Sequence, residues 1–248
     1  MGIYLNPGNE GFATARRSRY IDKSGLIFLI NERIDTKQKL VCMSRPRRFG
    51  KSIAAQMLSA YYDRSCDSSM LFQDLSIAKK ESYKKHLNKY DVICIDMAQV
   101  ISESGDKTDI IRYLQKKVID EIRDMFPDAS NGDSLLEVMS NAVNHTKNKF
   151  IAIIDEWDAP IRDPDFTVNM QNEYLAFLKM LFKSGWGTDR IFAAAYMTGI
   201  LPIKKDGSQS AISEFEEYNM LGQGEFEPYV GFTEEEVRTL CEEYGTDF

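Results

Sequence analysis

The stretch Ser44-Arg45-Pro46-Arg47-Arg48-Phe49-Gly50-Lys51-Ser52 follows directly on an apolar run, Leu40-Val41-Cys42-Met43. Gly50, Lys51 and Ser52 in succession supply what a nucleoside triphosphate needs. The glycine lets backbone amides approach phosphate oxygens, the ammonium meets the β- and γ-phosphates, and the hydroxyl can hold Mg²⁺. Arg47, Arg48, Phe49, Gly50, Lys51, Ser52 and Ile53 are therefore the candidate nucleotide-binding residues. The loop departs from G-x-x-x-x-G-K-[ST] at one place, where Arg45 stands for the first glycine. A side chain fits there if φ stays negative, and Pro46 biases the residue before it toward an extended backbone.

A second run, Phe150-Ile151-Ala152-Ile153-Ile154, ends in Asp155-Glu156. Two acids closing an apolar strand fall where open α/β sheets bind their ligands. Asp155 and Ser52 are the candidate Mg²⁺ ligands, since this ion prefers hard oxygens. Glu156, one residue on, is placed to orient or deprotonate an attacking water, and Lys51 to offset charge on the transferring γ-phosphoryl group. Thr198, at the end of a further apolar run, either senses the γ-phosphate or the water or simply forms the turn before Gly199. Asp158 either contacts the site or caps the following turn, with the structural role favoured. Lys204 and Lys205 are either a solvated pair or phosphate contacts from a loop, and His86 and His145 have no partnering pattern.

The elements that must position these groups follow from periodicity. Leu40–Met43, Val92–Ile95, Phe150–Ile154 and Arg190–Met197 are apolar runs of strand length, as strands covered on both faces should be. Helices are predicted from Ser52 with Ile53, Met57, Leu58 and Tyr61 on one face, over Thr108–Met125, from Ser134 toward Asn144, over Asn172–Lys183, and from Thr233 to about Glu243. Met1–Arg19 reads as an irregular lead-in before a helix that carries Leu26, Ile27 and Ile30. Asp22 or Ser24 would cap that helix. Strands alternating with helices predict an α/β fold with a parallel sheet wound on both faces.

The 248 residues carry a formal charge of −7. That balance argues against an overall electrostatic grip on nucleic acid or on anionic membrane. No apolar run approaches the roughly 18 residues that span a bilayer, and no leader pattern opens the chain. Cys42, Cys66, Cys94 and Cys241 show no C-x-x-C spacing; Cys42 and Cys94 lie inside apolar strand-like runs and read as buried thiols, and a reducing cytoplasm fits.

Tyr20-Ile21-Asp22-Lys23, the loop Ser44–Ser52, Ile154-Asp155-Glu156-Trp157-Asp158-Ala159-Pro160, Thr198-Gly199 and Gly231–Val237 together resemble the bacterial predicted AAA-ATPase-like family. The resemblance implies a P-loop NTPase three-layer sandwich of AAA/STAND-like type, with an additional strand between the phosphate-loop strand and the Asp155 strand. It also implies ATP rather than GTP, and makes Arg45 a shared feature of the loop. Members often continue into a PD-(D/E)XK nuclease-like domain; none is recognisable here, and a longer polypeptide beyond Phe248 or a partner protein is expected instead. The organisation expected is a lead-in and packed helix over 1–38, a P-loop ATPase core over 39–230, and the start of a helical segment over 231–248. The function expected is Mg²⁺-dependent ATP hydrolysis. Its alternative is a slow-turnover nucleotide switch or scaffold that regulates a partner.

Overall fold

A computed structural model describes residues 2–129, 131–183, 186–203, 212, 214–219 and 224–248. Five parallel strands form the sheet in the order β2-β3-β4-β1-β5. They are β1 (Leu40–Ser44), β2 (Asp91–Asp96), β3 (Phe150–Asp155), β4 (Phe192–Gly199) and β5 (Glu216–Tyr218). β4 thus lies between the phosphate-loop strand and the Asp155 strand, as the family resemblance implied.

Alternation along each strand sends successive side chains to opposite faces. Leu40, Cys42, Phe150, Ala152 and Ile154 join one buried cluster, while Val41, Met43, Ile151 and Ile153 join the other. The second cluster is covered by α1 (Glu10–Arg17), α2 (Gly25–Asn31) and α3 (Lys51–Tyr62), with the short α4 (Ser69–Phe72) and α5 (Tyr83–His86) around them. The first is covered by α6 (Met97–Glu103), α7 (Ile110–Met125), α8 (Leu135–Thr146) and α10 (Val168–Phe182), joined by the one-turn α9 (Ala159–Arg162) and by α11 (Trp186–Ile191). The result is an α/β three-layer sandwich. The last helix, α12 (Glu234–Tyr244), has no buried residue.

Local rules explain several boundaries. Thr233 and Glu236 form a reciprocal capping box at the start of α12, and Gly245 ends the helix in a left-handed conformation. At α8, Ser134 accepts from the Glu137 N–H, but the Glu137 carboxylate bonds the Asp133 N–H instead, so only half of that box closes. Asp22 takes the N–H of Ser24 and that of Ser76, tying the start of α2 to a distant turn.

Two expectations need correction. The lead-in is not irregular: α1 forms within it, with Phe12 fully buried and stacked on Phe72. Its single buried residue is too little to give a periodic signal in the sequence, and the helix is fixed by packing on α3. Ile53, expected on the buried face of α3, is 44% exposed and faces the cleft described below. Lys204 and Lys205 lie outside the described residues.

Candidate functional site

The parallel register sets the site. Met43 pairs with Thr198 and Ser44 with Gly199 across β1 and β4, and Ile154 pairs with Met197 across β3 and β4. The phosphate loop, Thr198 and Asp155 therefore leave the sheet side by side at the C-terminal ends of three adjacent strands, where such sheets bind ligands.

The Arg45 N–H donates to the Gly199 carbonyl at 3.0 Å, which fixes the loop's exit from β1. Arg45 is not among the residues with positive φ. Its guanidinium is buried, and burial lowers its pKa. The left-handed turn falls instead on Arg48 (φ 70°) and Gly50 (φ 75°). For Arg48 this conformation costs about 1–2 kcal/mol. For Gly50 it is free of penalty, and the residue serves as the N-cap of α3. The loop is thus held open to an anion at the positive end of a twelve-residue helix.

Lys51 is buried, and its ammonium donates to the Pro46 carbonyl at 2.9 Å. Burial pushes its pKa down, against the pull of Asp155, Glu156 and Asp158. Asp155 is also buried. Its Oδ1 accepts from the Thr198 hydroxyl and from the Glu156 N–H, each at 3.0 Å, and the nearby Ser52 side chain also favours the carboxylate form. Burial raises the Asp155 pKa despite these bonds. Asp155 has no ion-pair partner among the described residues. A buried carboxylate beside a serine hydroxyl, near the Lys51 ammonium but not bridged to it, is a donor set that fits Mg²⁺.

Glu156 sits at φ 49°, and its carboxylate accepts from Arg162 at 2.7 Å. Thr198, which the sequence leaves as either a sensor of the γ-phosphate or the water or a turn former before Gly199, is fully buried with its hydroxyl on Asp155. In this arrangement it acts on the cleft through Asp155.

In front of these groups lies a cleft of about 460 Å³. Every residue from Arg47 to Ile53 lines it, and so does Glu156, so the predicted loop and the predicted base face one space. Its aromatic lining, here called the aromatic end, was not foreseen: Tyr20, Ile21, Met57, Tyr229 and Phe232 border the same space. The Tyr20 hydroxyl contacts the Met57 sulfur, and burial pushes its pKa up to about 12. The segment that carries Tyr229 and Phe232 is tied to the start of α2 by Lys23, whose ammonium reaches the Pro228 carbonyl at 2.7 Å and the Glu236 carboxylate at 2.5 Å. Close approaches at two glycines do the rest. A Cβ on Gly25 would stand 2.3 Å from the Tyr229 ring, and one on Gly231 would stand 2.7 Å from the Phe49 ring. Arg162 was also missed, although Asp158 and Arg162 are spaced i,i+4, the separation at which helical charges meet.

Among the described residues, no helix is long and apolar enough to cross a membrane, and no group of three or more His, Cys, Asp or Glu side chains is arranged for a metal. The chain is similar in structure to the ORC2 protein of Aeropyrum pernix, solved as ADPNP–ADP complexes, with 10% identity, 91% of this chain covered and a TM-score of 0.46. It is also similar to PCH-2 of C. elegans, with 16% identity, 81% of this chain covered and a TM-score of 0.35. The chain spans 53% and 41% of those two proteins' chains. No curated protein matches it. The family model described as "Predicted AAA-ATPase" matches residues 9–208, a span that holds the phosphate loop, Asp155-Glu156 and Thr198 but not Gly231–Val237, and the chain belongs to that family.

Proposed function

We propose that the protein binds ATP in this cleft and hydrolyses it to ADP and inorganic phosphate. The observation that carries the reading is that Lys51, Ser52 and Glu156, from two distant stretches, line one cleft, with the buried Asp155 carboxylate beside them. Adenine is preferred to guanine on the strength of family membership.

The triphosphate lies along the loop, with its oxygens on the backbone amides that open α3. Lys51 exchanges the Pro46 carbonyl for the β- and γ-phosphates, where its charge offsets that of the departing phosphoryl group. Ser52 and Asp155 would hold Mg²⁺, which when bound neutralises phosphate charge. Thr198 keeps the Asp155 carboxylate turned toward Ser52. Glu156 takes a proton from the attacking water as the oxygen–phosphorus bond forms and the bond from γ-phosphorus to its bridging oxygen breaks. The base and ribose occupy the aromatic end, the part of the cleft that Tyr20, Ile21, Tyr229 and Phe232 line.

The test is ATP turnover by purified protein beside ATP binding by calorimetry, in the wild type and in Glu156→Gln. Hydrolysis that drops by about 10²- to 10⁴-fold in the variant while binding persists supports the reading. Negligible turnover in both proteins, with binding intact, moves the assignment to a slow nucleotide switch. Absence of binding heat overturns it.

A further inference from the structure

The proposed reaction leaves one charged cluster unused. Arg162, the last residue of α9, donates from one guanidinium nitrogen to Glu156 at 2.7 Å and from another to Asp158 at 2.9 Å. Asp158 is fully buried. The same oxygen that Arg162 holds also accepts the backbone N–H of Ile200 at 3.1 Å and of Leu201 at 2.8 Å, in the segment that follows β4. The two partners of Arg162 are therefore unequal. Freeing the guanidinium from Asp158 would strand a buried negative charge, which is strongly unfavourable. Glu156, with about a third of its side chain exposed, has no such penalty. The arginine is the fixed member of the pair and the glutamate is the member it holds.

Glu156 also keeps a left-handed backbone, which a non-glycine residue adopts only when its surroundings impose it. Strain and a charged hydrogen bond are thus both committed to holding one carboxylate at the mouth of the cleft. Such a bond, with a buried anchor behind it, gives the orientation that a general base requires.

We infer that Arg162 is a positioning residue for Glu156, anchored by Asp158 to the segment after β4, so that the placement of the base depends on where that segment lies. One oxygen of the glutamate stays on the guanidinium while the other is left to face the water. The inference rests on the proposed role of Glu156. It predicts that displacing residues 200–201 changes turnover without changing how tightly ATP is held.

The experiment compares Arg162→Ala, Arg162→Lys and Asp158→Asn with the wild type. It measures kcat, ATP affinity by calorimetry, and melting temperature, and repeats Arg162→Ala in a Glu156→Gln background. Arg162→Ala is expected to lower kcat by roughly 10-fold or more, in line with what misplacing a reacting group brings, with ATP affinity within about twofold. Arg162→Lys keeps a cation beside Asp158, which guards against a failure to fold, and should recover part of the rate. In the Glu156→Gln background the Arg162 substitution should have no further effect.

A rise in kcat on removing Arg162 would overturn the inference and make the pair an inhibitory latch. An equal loss in Glu156→Gln would also overturn it, since the arginine would then act elsewhere. Loss of ATP affinity in parallel with kcat would make Arg162 a phosphate ligand. If the wild type turns over and depends on Glu156 while all Arg162 variants match it, this inference alone fails. If the wild type binds ATP without turnover, the hydrolytic reading fails instead.

Discussion

The two ends of the cleft are built on opposite plans. The phosphate end comes from one contiguous loop and one strand end, with three residues, Arg48, Gly50 and Glu156, in left-handed conformations and two buried charges, Lys51 and Asp155. It cannot open without parting strands that are hydrogen-bonded through the core. The aromatic end is closed by residues some 200 positions apart, through Lys23 on Glu236, Tyr229 against Gly25 and Phe49 against Gly231. Phe232 remains 61% exposed. One end is rigid and strained, and the other is a clasp of partly solvated groups. On the proposed function the two ends would do separate work: the strained end would discriminate charge, and the clasp would set how long a nucleoside stays.

Substitutions at the two ends should therefore separate by ligand. Lys51→Ala removes a charged hydrogen-bond donor of the kind that contributes about 1.5–3 kcal/mol, so ATP binding should weaken on the order of 10- to 100-fold. Adenosine, which carries no phosphate, should be unaffected. Calorimetry with the two ligands decides this, and a Lys51→Ala protein that binds ATP like the wild type breaks the assignment of the charged end. Phe232→Ala should show the other pattern. Loss of an aromatic contact of about 0.5–1.5 kcal/mol weakens ATP, ADP and adenosine alike, by about 2- to 12-fold, with kcat held. An effect confined to ATP would show that Phe232 does not serve the base.

The same contrast explains what could be read from the sequence. The phosphate end was legible because its geometry is local: a strand, a turn and a helix start must lie within a dozen residues, and Gly50-Lys51-Ser52 carries that requirement in residue types. The four principal strands were legible for a related reason, since burial on both faces forces unbroken apolar runs such as Val92–Ile95. The clasp was not legible. Tyr20, Tyr229 and Phe232 carry no mutual signal, because their proximity is created by folding, and the glycines that admit them look like any turn glycine. α1 escaped for want of periodic apolar residues. Ile53 shares a helical stripe with Met57 and Tyr61, which suggests burial, and also closes the phosphate loop; the cleft takes the first turn of that stripe. Arg162 lay within reach of an i,i+4 reading from Asp158, but its bond to Glu156 depends on the turn between β3 and α9.

The strain at the charged end has a thermodynamic consequence. Burial raises the Asp155 pKa above its ordinary value of 3.8. Between that value and the raised one, the folded chain holds a proton that the unfolded chain has released, so stability falls as pH rises through the window and stays reduced above it. Asp155→Asn keeps an oxygen for the Thr198 hydroxyl and the Glu156 N–H but never ionises. It should melt higher than the wild type at pH 7, by about 2–4 °C for each kcal/mol relieved, and the advantage should disappear below about pH 4, where both side chains are neutral. Calorimetric melting across pH checks the sign, and a variant that melts lower at pH 7 would show that the carboxylate's charge is compensated in the folded protein.

The smallest effect belongs to the clasp. Lys23 and Glu236 keep 13% and 24% of their side-chain exposure, so water still screens the pair. A double-mutant cycle with Lys23→Met and Glu236→Gln should give a coupling of no more than about 1 kcal/mol, shrinking as salt is added. Methionine keeps an apolar stem where Lys23 passes near the Phe232 ring, so the cycle reports charge rather than packing. Because Lys23 also holds the Pro228 carbonyl, its loss should exceed that of Glu236 alone. If the clasp governs residence, the same variants should speed nucleotide release more than they slow its capture, since local interface changes act mainly on dissociation. Stopped-flow release of a fluorescent ATP analogue measures this, and equal changes in both rates would mean that the aromatic end closes before the nucleotide arrives.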